Sequence, residues 1–159
     1  MSEILLVVAN GSCARLLRGG AGLELKEIQV MHNPLAKLHL AGFVTSRPEK
    51  VPKPDSSRGA AGSAENTRRK EYLRRYSRRV SHAIAMEINK AGIQKIILVA
   101  TPLIVTVLRE KLNKRFIDKI VYTLKKDLVD KNITEVLKAL PVEYQRNLAA
   151  GFVKQEKVS

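Results

Sequence analysis

The sequence holds one cysteine, Cys13, and no tryptophan in 159 residues. A single thiol excludes an internal disulfide, and a domain held together without one fits a reducing compartment. Aromatic residues make up only 4% of the chain, too few for the row of stacked rings on which many single-strand binders lay their bases. The apolar run Ile4–Ala9 is far shorter than the roughly 20 residues a membrane helix needs and reads as a buried strand. The opening also lacks a charged start followed by an apolar segment and a small-residue cleavage site, so a cytoplasmic protein is expected. Cys13, His32, His39 and His82 are scattered without ligand spacing, and neither a metal nor a cofactor is expected. Gly19-Gly20-Ala21-Gly22 lacks the Lys-Ser/Thr and helix start of a phosphate loop and reads as a turn. Ser12 has no Gly-x-Ser-x-Gly elbow around it. Glu3, Asn10, Asp127 and Asp130 do not supply the convergent carboxylates of a two-metal nuclease.

What is present in excess is positive charge. Lys plus Arg is 29 against 15 acids, a formal net of +14. Half of that excess lies between Arg47 and Arg79, where eleven basic and four acidic residues leave a local +7. Like charges at this density repel, and a polyanion relieves the repulsion while counterion release drives binding.

Length and a hydrophobic fraction of 45% fit one ordinary globular domain. Glu3–Ala9, Cys13–Arg18 and a third segment from Leu23 to Val30 read as strands. They are separated by Asn10-Gly11, a strong hairpin signal, and by the second glycine turn. The alternation of the third strand slips near Glu27, as a bulge would make it. Leu35 and Leu38 suggest a short helix after Pro34. Residues 45–66, with three prolines and two glycines, read as a mobile basic loop. From Thr67 to Ala91, Leu73, Tyr76, Val80, Ile84 and Ile88 recur three or four apart, predicting a long amphipathic helix that Gly92 ends. Gln94–Ala100 is apolar throughout, as in a strand covered on both faces. Thr101-Pro102 opens a second helix over 103–113, 119–124 is a fifth strand, and Asn132 with Glu135 caps a third helix that stops at Pro141. The expected fold is α/β: a single mixed sheet in β-β-β-α-β-α-β-α order over residues 1–141, as in ribonuclease H-like domains, followed by a C-terminal tail at 142–159.

Three segments carry a family resemblance. Val7-Val8-Ala9-Asn10-Gly11-Ser12-Cys13-Ala14-Arg15 is similar to the opening of the short bacterial host attachment proteins, which usually have Asp where this chain has Asn10. Ile96-Ile97-Leu98-Val99-Ala100-Thr101-Pro102 with Leu108-Arg109, and Lys125-Lys126-Asp127-Leu128, resemble later blocks of the same family. That family in turn resembles the central domain of archaeal and eukaryotic class-one peptide release factors. Residues 57–66, leading into the Arg-rich helix, stand where those factors carry a Gly-Gly-Gln loop. The Gln is missing here, so the resemblance implies a basic helix beside RNA and not ester hydrolysis.

The candidate site follows from both lines. Arg58, Arg68, Arg69, Arg74, Arg75, Arg78, Arg79 and His82 would contact phosphate, since guanidinium is permanently charged and grips phosphate bidentately. Lys50, Lys53, Gly59 and Gly62 would belong to a loop that orders on binding. The expected partner is RNA or the ribosome, without a catalytic residue. The alternatives are an acidic protein or anionic surface and, third, a peptidyl-tRNA-type ester hydrolase. An open meander edge leaves the oligomeric state undetermined.

Overall fold

The computed structural model describes residues 3–20, 22–34 and 55–148, with side chains of 55–66 outside that description. The meander forms first: β1 (Glu3–Ala9), β2 (Cys13–Gly20) and β3 (Leu23–His32). A long helix α1 (Asp55–Ala91) leads to β4 (Lys95–Ala100). Then come α2 (Pro102–Lys111), a single turn α3 (Lys114–Ile117), β5 (Ile120–Leu124), α4 (Ile133–Lys138) and α5 (Val142–Leu148). The sheet order is β3-β2-β1-β4-β5. β1 pairs antiparallel with β2 and parallel with β4, and β4 pairs parallel with β5. This is the expected mixed sheet with its five strands where they are expected along the chain.

β1 and β4 sit at the centre, apolar on both faces. Leu5, Val7, Ile96 and Leu98 face a core filled by Tyr76, Val80, Ile84 and Ile88 of α1 and by Ile104, Val105 and Leu108 of α2. Ile4, Leu6, Val8, Ile97 and Val99 face the other core, closed by Val136 and Leu137 of α4 and by Leu140 and Leu148. The result is three layers, with α1–α3 on one face and α4–α5 on the other. The apolar stripe read from the sequence is the stripe that packs, with Leu73 at its margin.

The slip near Glu27 is a bulge: Leu16 pairs with Gln29 and Leu17 with Glu27, leaving Ile28 as the extra residue. Arg15 uses the site. Its Nε donates to Glu27 Oε1 at 2.7 Å, and its Nη1 donates to the carbonyls of Val129 and Lys131 at 3.1 and 2.7 Å, tying the loop before α4 to the meander. At α4 the expected cap is made, Asn132 Oδ1 accepting from the Glu135 backbone N–H at 2.8 Å. Thr101 holds the N-cap position of α2 without a side-chain cap bond.

Several expectations need correction. Residues 55–66 are helical rather than looped; Ala60, Ala61 and Ala64 favour helix strongly enough to carry the backbone through Gly59 and Gly62 once the anchored half is formed. Residues 35–54, including the helix expected after Pro34 and Lys50 and Lys53, lie outside the described residues. The tail from Val142, where a last helical turn or two is expected, forms α5 and is packed as far as Leu148, whose side chain is fully buried. The chain also forms α3 between the second helix and the fifth strand, because Phe116 tucks into the core.

The Asn10-Gly11 turn differs in kind from a positive-φ hairpin: Gly11 is not among the glycines with positive φ, which are Gly20, Gly22 and Gly92. The side chain of Asn10 closes the turn instead, its Oδ1 accepting from the backbone N–H groups of Ser12 and Cys13, both at 2.8 Å. An Asx-type bond replaces backbone geometry that would need glycine.

Gly11 and Gly92 make a controlled pair. A Cβ at either meets no atom within 4 Å, and only Gly92 has a left-handed φ, +67°. Gly92→Ala is expected to lower unfolding free energy by about 1 kcal/mol. Gly11→Ala should leave it within about 0.5 kcal/mol. Urea denaturation of both variants checks the contrast, and equal losses would refute the turn geometry.

Candidate functional site

Two polar regions stand out, one at the hairpin turn and one along α1. At the turn, Asn10 is the hub. Its Nδ2 donates to both carboxylate oxygens of Asp127, at 3.1 and 3.2 Å. Its carbonyl accepts from the Tyr76 hydroxyl at 2.8 Å. The Asn33 Nδ2 donates to the Gly11 carbonyl at 3.0 Å, and the Asn33 N–H to the Ser12 carbonyl at 2.8 Å. The hub therefore joins the end of β1, the end of β3, α1 and the segment after β5. Asp127, which stands without a partner in the sequence reading, gains one here. The sequence carries a trace of it, since Asn10 and Lys125-Lys126-Asp127-Leu128 both belong to the family-like segments.

The hub contains two groups capable of nucleophilic chemistry, and both are held neutral. Burial, as the largest cause, pushes the Tyr76 hydroxyl well above its ordinary pKa, with nearby Cys13 adding to the rise and Arg79 opposing it. Burial likewise raises the Cys13 thiol, against the opposing charge of Arg15, with Glu27 and Asp130 adding to the rise. A thiol held protonated is a poor nucleophile. Among the described residues, no three His, Cys, Asp or Glu side chains converge as a metal site would require. The geometry suits a structural clasp.

Along α1, every described side chain expected to contact phosphate is exposed: Arg68, Arg69, Arg74, Arg75, Arg78, Arg79 and His82. Arg58 lies on the helical backbone, with its side chain outside the description, and Gly59 and Gly62 are helical. The seven exposed groups are not equivalent. Glu71 takes an ion pair from Arg74 at 2.7 Å and from Arg75 at 3.1 Å. Arg75 also lies 5.7 Å over the Tyr72 ring. Arg79 donates from Nη2 to the His32 carbonyl at 2.6 Å and so fastens the end of β3 to the helix. Arg68, Arg78 and His82 make no ion pair among the described residues. The sequence reading treats these residues alike; the structure separates those with a partner in the fold from those without an ion pair among the described residues.

One further cation joins them. Lys111, at the end of α2, lines a groove with Arg78 and His82, together with Ser81, Leu112, Asn113 and Phe116. Sequence reasoning misses Lys111 because its proximity to α1 depends on the packing of α2 against that helix.

The sequence model of a family described as "protein required for attachment to host cells" matches residues 5–140. The chain belongs to that family. No curated protein matches the sequence. Among solved structures, it is similar to S. cerevisiae Dom34, described as a translation termination-like factor involved in RNA quality control pathways and interacting with Hbs1. The two share 15% identity with a TM-score of 0.49, over 99% of this chain and 38% of the length of Dom34.

Removing the Tyr76 hydroxyl leaves the Asn10 carbonyl without its side-chain donor. Tyr76→Phe should cost about 1–2 kcal/mol of stability in urea denaturation. In the same folded protein, Cys13 should react with iodoacetamide at pH 8 more slowly than a free thiol, and reaction at the free-thiol rate would contradict the burial described.

Proposed function

We propose that this protein is a non-catalytic RNA- or ribosome-binding module in which α1 provides the contact surface. The observation that carries the proposal is a row of exposed arginines on a single long helix, with Arg68 and Arg78 free of ion pairs among the described residues. The formal net charge of +14 adds a long-range attraction for any polyanion. A helix of 37 residues, about 55 Å long, presents the charge of its described arginines as a strip. Such a strip positions a phosphate backbone without reading its sequence.

A second reading has its own support. The description of the family supports an attachment or protein-interaction factor, whose basic face would dock an acidic partner or anionic surface. The ester-hydrolase reading has weaker support, because the chain lacks Gly-Gly-Gln and residues 57–66 are helical rather than a reaching loop.

The test compares wild type with Arg68→Glu/Arg75→Glu, titrating 70S ribosomes and an unrelated structured RNA across a salt series. The proposal expects binding with a steep salt slope, and a loss of about tenfold or more in affinity together with a shallower slope in the variant. Preference for ribosomes over the unrelated RNA would assign the module to translation. Wild-type binding weaker than about 100 µM to both RNAs at near-physiological salt, below what non-specific binders reach, would overturn the RNA reading in favour of attachment.

A further inference from the structure

The groove between α1 and the α2–α3 corner has a volume of about 330 Å³, at the small end of the roughly 300–1,000 Å³ spanned by ligand sites. Arg78 and His82 reach it from successive turns of one face of α1, four residues apart. Lys111 reaches it from the end of α2. None of the three makes an ion pair among the described residues, and no carboxylate lines the groove. Arg78 and Lys111, drawn together by the fold beside His82 with no counter-charge among the described residues, repel one another, and an anion between them removes that cost. Asn113 adds an amide at the rim, while Leu112 and the largely buried Phe116 form an apolar floor.

We propose that this groove is a discrete binding site for one phosphodiester of an RNA strand, which rests on the RNA-binding reading of α1 and adds a second element to it. The charge pattern favours phosphate over a peptide carboxylate. Cations from two elements surround one small volume, and a phosphodiester offers acceptor oxygens in several directions where a carboxylate offers two in one plane. The groove is also continuous with the exposed row on α1 through Arg78, so a strand lying along the helix enters it without leaving that row. The apolar floor suits the sugar beside the phosphate. Lys111 is the distinguishing residue: it lies outside the basic segment of the sequence, and only folding brings it to Arg78.

The experiment uses the full chain and a fluorescent single-stranded RNA, titrated across a potassium chloride series with wild type, Lys111→Gln, Lys111→Arg and Arg68→Glu/Arg75→Glu. Circular dichroism confirms that each variant is folded, as expected for exposed positions. Lys111→Gln is expected to weaken binding by about five- to tenfold for every RNA sequence and to reduce the log–log salt slope by about one. Lys111→Arg should restore both. If Lys111→Gln binds like wild type while the α1 variant loses affinity, the groove proposal is overturned and the RNA-binding reading stands. If wild type binds no RNA, both fall. If wild type instead binds poly-glutamate and Lys111→Gln abolishes that binding, the groove serves an acidic protein and the phosphodiester assignment is overturned.

Discussion

Tyr76, Val80, Ile84 and Ile88 of α1 pack against the sheet face formed by Leu5, Val7, Leu16, Ile96 and Leu98, and this contact determines the direction of every other side chain on the helix. An α-helix has one rotational setting relative to its support. With the apolar stripe against the sheet, Arg74, Arg75, Arg78, Arg79 and His82 have only solvent-facing directions left. The same contact fixes where the hairpin turn meets α1, because Tyr76 belongs to the stripe while its hydroxyl reaches the Asn10 carbonyl. A single packing surface thus orients both the structural clasp and the charged face.

The charged face is then sorted by local chemistry. Arg79 is fastened to the His32 carbonyl, and Glu71 is shared by Arg74 and Arg75. Exposed pairs of this kind contribute little stability, and their larger effect is to offset charge. Among the described residues Arg78 makes no ion pair, and the packing of α2 places a second cation, Lys111, beside it and His82. Net charge by itself says that a polyanion is attracted. The pairing pattern says where on the helix the attraction is uncompensated.

The architecture was legible because both periodicities in the sequence were clean. Six buried residues in β1 and five in β4 leave no solvent-facing alternative for either strand, and the three-to-four spacing in α1 has one interpretation. The slip at Glu27 identified the bulge because one extra residue must invert the alternation. The start of α1 was harder to read. Local glycines and prolines suggested a loop through Asn66, whereas the alanines extend a helix already nucleated by tertiary packing. The turn at Asn10 was placed correctly for an incomplete reason, since side-chain capping and positive φ favour the same dipeptide. Of the site, the cations on α1 were legible as composition, while their division into paired and unpaired groups depended on Glu71 at helical spacing and on the distant His32. Lys111 was beyond sequence reasoning, because no local pattern encodes the angle at which α2 meets α1.

The hairpin end of the sheet has the features that usually draw attention in an α/β domain: a thiol, a phenol, a carboxylate and an amide gathered near the ends of parallel strands. Their bonding argues against chemistry there. Both oxygens of Asp127 receive the Asn10 amide, the Asn10 carbonyl oxygen receives the Tyr76 hydroxyl, and burial keeps the phenol and thiol protonated. The Asn10 amide and the Tyr76 hydroxyl are both matched to acceptors within the protein, as a structural clasp requires. The groove has the reverse character: Arg78 and Lys111 converge beside His82 with no counter-charge among the described residues, exposed at the surface. Satisfied polar groups hold a fold together, and uncompensated charge at an open groove is what a partner can use.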